Sequence, residues 1–488
     1  MYKFAGAGSS RFVGCHNNSL PNLLRALDER VYHTMQGGAL ARTIQPTRNI
    51  TGALSGFRIR LLDHLPTLPP LTDSEFLDRY EGGKRRCYEL AMESLYVRPV
   101  EAADARMGSF VKFEKGLKSE GCPRLINPRR PRYNCELGKL IAHCEKPLFK
   151  AIGQVFGGVT VFKGMDALEQ GQAFKDAWDQ FDEPVAVGLD ASRFDQHVSE
   201  PLLKWEHGVW PRMVPSHCRS KLNWLLRLQR RNHGIAVFNE GVVKFLIKGC
   251  RMSGDMNTSS GNCLIMCAMV FAFMAELQAQ EGVGRYRLAN NGDDCVVILE
   301  KKDLTKFSAR VGSWFTDMGF TMKVEEPVSE LEEIEFCQMH PVWTARGWCM
   351  VRDPRVAIPK DLHSTCDLRH QKVGRRWMGA VRDGGLALTA GCPVWPQFYQ
   401  MYPAYKHTEG DPQVLRTLTE SGFWRIKGKL QWEDLEVRPE HRFSFWVAFG
   451  IHPEEQMDME RRFMASELGW SQPTELQLGE EVTLLDVM

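Results

Sequence analysis

The sequence predicts an α+β protein, and three observations carry that expectation. Two β-prone runs, residues 286–289 and 295–299, flank Asn291-Gly292, a strong turn signal, so they read as a β-hairpin. A short apolar run, 185–189, follows Pro184 and reads as a buried strand. Long helical patterns lie between and after these strands, at 201–231, 263–277 and 307–318.

The elements follow in order along the chain. Residues 111–134, VKFEKGLKSEGCPRLINPRRPRYN, are dense in Lys, Arg, Pro and Gly. Their basic side chains are Lys112, Lys115, Lys118, Arg124, Arg129, Arg130 and Arg132. Pro123, Pro128 and Pro131 forbid a continuous helix through the second half, so an extended basic arm is expected. The strand at 185–189 ends on Asp190, and Asp195 opens a helix five residues later. A polar, Gly- and Ser-rich loop, 252–262, leads into the apolar helix CLIMCAMVFAFMAEL. After the 286–299 hairpin comes an amphipathic helix that stops at Gly319, then a short strand, FTMKVE. Residues 336–343 suggest another tight hairpin. Beyond Arg346 the chain is rich in tryptophan and largely helical.

Composition bounds the function. At 488 residues the chain exceeds the usual single-core limit, so two or three subdomains are expected. Hydrophobic content of 43% and charged content of 25% are those of an ordinary globular protein. Net charge is only +2, so any footprint for a polyanion must be local. The fourteen cysteines form no Cys-x-x-Cys pair and no zinc spacing, and read as reduced core residues. The N-terminus lacks the apolar core of a secretory signal. The longest apolar stretch, 263–275, has 13 residues. A bilayer span needs about 20, so the chain is expected to be soluble by itself.

The candidate chemistry lies in five places. Gly292-Asp293-Asp294 puts two carboxylates at a hairpin tip, where they repel each other and call for a divalent cation. If the 185–189 strand lies beside the hairpin, Asp190 faces Asp293 across two metal ions, the arrangement used for in-line phosphoryl transfer. The ligands are hard oxygens, so magnesium is the expected ion, with manganese able to substitute. In SGDMNTSSGN, small hydroxyl and amide groups (Ser253, Thr258, Asn262) suit a ribose, and Asn262, Thr258 and Asp195 are the candidates to read its 2′-hydroxyl. Lys323, just after the hairpin, is placed to act as general acid for a leaving pyrophosphate. In the basic arm, cationic side chains suit the triphosphate of an incoming nucleotide, and a guanidinium such as Arg124 suits stacking on its base.

The order of these elements resembles motifs F, A, B, C and D of viral RNA-dependent RNA polymerases. GLDASRFDQHVS, SGDMNTSSGN, NNGDDCVVI and PRLINPRRPRYN, with RFVGCHNNSLPNLLRALDERVY near the N-terminus, resemble the replicases of the tombusvirus family of positive-strand RNA plant viruses, luteovirus and umbravirus relatives included. The resemblance spans roughly residues 10–350 and implies a closed right hand with an antiparallel palm sheet. The implied boundaries are fingers over 1–135 (basic arm 111–134), palm over 136–200, a fingers insertion over 201–245, palm over 246–345, and thumb with C-terminal region over 346–488. It implies Asp190, Asp293 and Asp294 as metal ligands, Lys112, Lys115 and Arg124 at the triphosphate and base, and Arg129, Arg130 and Arg132 along RNA phosphates. Cys337 and Gln338, in the position of the primer-gripping motif E, are implied to meet RNA. The implied activity is template-dependent RNA synthesis from NTPs on single-stranded RNA, initiated without a primer. Also implied are a membrane-anchored viral auxiliary replication protein as partner and a location at membrane-associated replication complexes in the host cytoplasm. Two rivals remain. A reverse transcriptase shares paired aspartates, but usually has Tyr or Phe two residues before them, where this chain has Asn291. A non-catalytic RNA-binding relative would have little use for the acidic pair.

Overall fold

A computed structural model describes residues 2–3, 13–36, 38–117, 121–368, 370–404, 432–466 and 468. Lys118 of the basic arm lies outside the described residues. The elements used below are helix α1 (Pro131–Ile141), strand β1 (Pro184–Ala191), the hairpin β2 (Arg231–Phe238) and β3 (Gly241–Lys248), helix α2 (Thr258–Glu281), strands β4 (Tyr286–Asn291) and β5 (Asp294–Glu300), helix α3 (Leu304–Asp317), strand β6 (Met322–Val324), and the hairpin β7 (Met339–Thr344) and β8 (Gly347–Arg352).

Four strands form the central sheet in the order β4-β5-β1-β6, every neighbour antiparallel. Its two central strands, β1 and β5, read as nearly continuous apolar runs because both faces are covered. Successive side chains point to opposite faces. Val185, Val187 and Leu189 therefore join Cys295, Val297 and Leu299 in one core, and Ala186 joins Val296 and Ile298 in the other. The first core is built on α2, whose apolar side chains are buried on all sides, as expected of a helix without a polar face. Among the described residues α2 is the one helix long and apolar enough to cross a membrane, and 83% of its apolar window is packed inside the protein. Helix α3 lays Phe307, Val311, Trp314 and Phe315 on the same core and stops at Gly319, whose φ of +88° suits the sharp exit.

The second core joins the other face of the sheet to β7-β8 and to C-terminal helices, Gln371–Thr389 and Pro439–Phe449 among them. The helix Ala167–Trp178 closes it from the side. At Gly171 the contact is backbone to backbone: an added Cβ would lie 2.6 Å from Trp348 and Cys349 main-chain atoms. The hairpin expected at 336–343 is displaced. A tight turn closes at Phe336–Met339, with Cys337 and Gln338 both at positive φ (53° and 61°), and the long hairpin follows from Met339.

The basic arm is extended as its prolines require, with two-residue strands at Phe110–Val111, Lys115–Gly116 and Leu125–Ile126. Pro131 ends it by opening α1, where its fixed φ and missing N–H fit the first helical turn. Two small pairings draw the chain's early segments onto later ones. Gly14–Cys15 pairs with Lys115–Gly116, and Tyr2–Lys3 pairs with His363–Ser364. Lys115 extends this join, donating from Nζ to the carbonyls of Lys360 (2.7 Å) and His363 (3.0 Å).

Candidate active site

Strand register assembles the first group of site residues. Asp190 on β1 lies opposite Asp294 on β5 and opposite Lys323 on β6. Directly opposed residues of antiparallel strands share a face, so Asp294, Asp190 and Lys323 form one row across the sheet. They continue the face whose other residues, Ala186, Val296 and Ile298, pack on the second core. Asp293 sits one residue off the row, in the two-residue turn between β4 and β5. Gly292 takes the first turn position at φ +87°, which suits glycine. Asn290, fully buried, holds the turn: its Nδ2 donates to Gly292 O (2.8 Å) and its Oδ1 accepts from Gly292 N (3.2 Å).

Burial, then the charge of Asp293, pushes Asp294 up to about 6. Burial, then the charge of Asp190, raises Asp293 as well. Carboxylates held above their ordinary range by burial and by one another are poised to accept a cation, and their oxygens are hard donors. Among the described residues no group of three or more His, Cys, Asp or Glu side chains cages a metal by itself.

Two adjoining cavities meet at these residues. The larger, about 710 Å³, is lined by Asp190, Asp294, Lys323, Cys337, Gln338 and Lys112, among others. The second, about 500 Å³, holds Asp195, Ser253, Thr258, Asn262 and Asp293. Arg30 and Arg124 line both. In the second cavity Asn262 Nδ2 donates to Asp195 Oδ1 (2.8 Å). Burial pushes the Asp195 carboxyl up to about 6, against the lowering effect of that hydrogen bond and of Arg251. Thr258 and Ser253 line the same cavity, but both hydroxyls serve local structure. Thr258 Oγ1 donates to Met252 O (2.6 Å), and Ser253 Oγ donates to Leu125 O (3.4 Å) while accepting from Asn127 N (3.1 Å). Gly254 is required there for close approach: an added Cβ would lie 2.5 Å from Asn127 O and Pro128 Cα. The loop 252–262 is thus bolted to the basic arm.

The arm's own cations divide. Lys112 and Arg124 are solvent-facing and share Glu114, at 2.5 and 3.4 Å, ion pairs weak enough to yield to a phosphate. Arg130 is exposed and makes no ion pair among the described residues. Arg129 and Arg132 stand differently from the nucleic-acid expectation. The Arg129 side chain is fully buried, paired with Asp255 and donating to Ala105 O (2.8 Å) and Asn232 Oδ1 (2.6 Å). Arg132 spends its fork on Asp104, Ser94 and the carbonyls of Arg98 and Pro99. Each commits four of its five N–H groups within the protein. Lys115, bonded to the Lys360 and His363 carbonyls, is likewise held to the protein. Lys323 is exposed, with Glu325 at 3.5 Å. At the strained turn, Cys337 Sγ receives Asn291 Nδ2 (3.0 Å), and Gln338 Oε1 receives Lys360 Nζ (3.3 Å).

Sequence reasoning missed Arg30 and Arg193, which line the second cavity, and the buried network of Glu206, Arg251 and Asn257 beside it. Arg193 lies between the two aspartates of DASRFD and adopts φ +50°, a conformation the sequence does not announce. Nothing local flags Arg30.

The chain belongs to the viral RNA dependent RNA polymerase family, whose model matches residues 1–471. It is 44% identical to the RNA-directed RNA polymerase of Cucumber necrosis virus, over 95% of this chain and 55% of that protein. It is 43% identical to that of Cymbidium ringspot virus, with the same coverage of each. The RNA-directed RNA polymerase of Tobacco necrosis virus (strain D) is 40% identical over 99% of this chain and 67% of that protein. The resemblance to tombusvirus-type polymerases is thereby borne out. The chain spans about half the length of the first two of these relatives.

Proposed function

We propose that this chain is the polymerase part of a viral replicase and transfers nucleotidyl groups from NTPs to the 3′-hydroxyl of a growing RNA, directed by a single-stranded RNA template. The observation that carries the reading is the row Asp294–Asp190–Lys323, set by strand register beside the Asp195–Asn262 pair. Family membership supports it. Asp190, Asp293 and Asp294 have the donor chemistry to hold magnesium, or manganese in its place. Two such ions would supply activation of the attacking hydroxyl and neutralisation of the triphosphate.

The chain's own groups do the rest. Asp195 and Asn262 read the ribose 2′-hydroxyl, with Ser253 and Thr258 shaping the cavity around it. Lys112 and Arg124 take the triphosphate and base, exchanging Glu114 for the nucleotide. Lys323 delivers a proton to the leaving pyrophosphate. Arg130 follows template phosphate, and Cys337 with Gln338 meets the nascent strand. The strand pairings of Tyr2–Lys3 and Gly14–Cys15, with the Lys115 bonds, support a closed right hand in which early segments bridge to the thumb. The palm, placed at 136–200 and 246–345, contains the whole central sheet. Initiation without a primer, partnership with a membrane-anchored auxiliary protein, and work at host cytoplasmic membranes belong to the same reading and rest on the family resemblance.

The experiment is incorporation of labelled nucleotide on a short single-stranded RNA with Mg²⁺, supplied with NTPs or with dNTPs. Product from NTPs alone is expected. Product from dNTPs at a comparable rate favours the reverse-transcriptase reading, and no product from either removes the catalytic one.

A further inference from the structure

The ribose-reading pair is not free-standing. Asn262 Oδ1 accepts from Arg251 Nε (3.0 Å), while Asn262 Nδ2 faces Asp195. An amide with a guanidinium donor on its oxygen cannot flip, so Arg251 dictates that Asn262 presents N–H to Asp195. Arg251 in turn donates from Nη2 to Glu206 Oε2 (2.8 Å), and both side chains are fully buried. Glu206 is itself fixed by Asn257 Nδ2 (2.9 Å) and Trp210 Nε1 (2.5 Å) on its other oxygen. Asn257 is braced by Gln229 (2.9 Å).

Several features are shaped around this chain of bonds. Gly261 in α2 is needed for it: an added Cβ would lie 2.5 Å from Arg251 Nη2 and 2.7 Å from Glu206 Oε1. Gly249 and Cys250, both at positive φ (70° and 60°), turn the chain sharply from β3 so that Arg251 enters the core. The Arg251 backbone N–H also donates to Asp195 O (2.8 Å), so one residue fixes the main chain of one reader and the side chain of the other. A buried Arg–Glu pair is a poor device for stability, since its desolvation offsets most of its attraction. A buried network that fixes one orientation is what such a pair does well.

We propose that Glu206 and Arg251 are positioning residues for sugar selection: through Asn262 they hold Asp195 in the orientation that accepts a ribose 2′-hydroxyl. The inference rests on the reading of Asp195 and Asn262 as ribose readers. Lysine at 251 keeps a positive charge but is a point donor and cannot span Glu206 and Asn262 in one plane. Glutamine at 206 keeps the shape and removes the charge.

The test uses the full chain and compares kcat/KM for CTP and dCTP in Arg251→Lys, Glu206→Gln, Asn262→Ala and Arg352→Lys, each checked by circular dichroism. Arg352 pairs with Asp361 (2.6 Å) in the second core and serves as a control for loss of a buried ion pair. The CTP preference is expected to fall about tenfold in Arg251→Lys and in the same direction in Glu206→Gln, as in Asn262→Ala, and to stay unchanged in Arg352→Lys. A purely structural role lowers both rates together and leaves the ratio alone. If Asn262→Ala lowers the ratio while folded Arg251→Lys and Glu206→Gln do not, the positioning role is overturned and the ribose reading stands. If Asn262→Ala leaves the ratio unchanged, the ribose reading falls, and the relay with it. Should Arg251→Lys not fold, Glu206→Gln decides.

Discussion

Two neighbouring arginines should respond to the same substitution in opposite ways. Arg129→Ala removes a guanidinium that is fully buried and bonded to Asp255, Asn232 and the Ala105 carbonyl. It leaves Asp255, 2% exposed at its side chain, as an uncompensated charge. Breaking a buried pair from one side costs about 3–5 kcal/mol, and the Tyr133 ring, 5.3 Å from the guanidinium, loses its cation as well. Arg130→Ala removes an exposed side chain with no ion pair among the described residues, so stability should move by no more than about 0.5 kcal/mol. If Arg130 tracks a template phosphate, its loss should flatten the slope of log affinity for RNA against log salt by about 1. Urea unfolding and fluorescence anisotropy with labelled single-stranded RNA measure the two effects. A folded Arg129→Ala that has lost under about 1 kcal/mol and shows the flattened slope would refute the assignment of Arg129 to the core.

The Asp195 carboxyl, pushed up to about 6 by burial, binds its proton more tightly folded than unfolded. Its contribution to stability is therefore present at low pH and lost as pH rises through about 6. Asp195→Asn should accordingly gain stability relative to wild type more at pH 7.5 than at pH 4.5, read from urea midpoints; an equal difference at both pH values would contradict the shift. Gly171→Ala should destabilise the chain by about 1–2 kcal/mol, because overpacking against the Trp348–Cys349 backbone outweighs about 1 kcal/mol of helix propensity. Activity per folded molecule should be unchanged, and a raised unfolding midpoint would contradict the close packing.

Much of the sheet was legible because its signals are local. The apolar run ending at Asp190, the turn at Gly292 and the stop at Gly319 each depend on a handful of adjacent residues, and all appear as expected. The turn differs in detail, since its central pair is Gly292-Asp293 rather than Asn291-Gly292. The order of the motifs gathered Asp190, Asp293, Asp294 and Lys323 into one site but set Asp190 against Asp293, whereas the register sets it opposite Asp294 and Lys323. Arg129 was illegible for the opposite reason. An arginine between prolines in a basic stretch looks solvated, and the aspartate that buries it lies 126 positions away. Glu206 and Arg251 are 45 positions apart, and neither carries a pattern that names the other. The tie between the first residues and 363–364 is equally non-local, two residues against two with no turn to announce it. Where chemistry depended on spacing within a motif the sequence spoke. Where it depended on burial of a charge by a distant partner, it did not.

The central claim is that the carboxylates of Asp190, Asp293 and Asp294 support nucleotidyl transfer. Its most direct test is labelled NTP incorporation on a short single-stranded RNA with Mg²⁺, using the wild-type chain, Asp190→Ala and Asp293→Ala, with circular dichroism on each. Each substitution removes a carboxylate that the account assigns to metal, one at the end of β1 and one in the β4–β5 turn, so charge stabilisation is lost rather than packing. The account predicts wild-type-like spectra and incorporation reduced to background in both variants. Near-normal incorporation by either folded variant would contradict it.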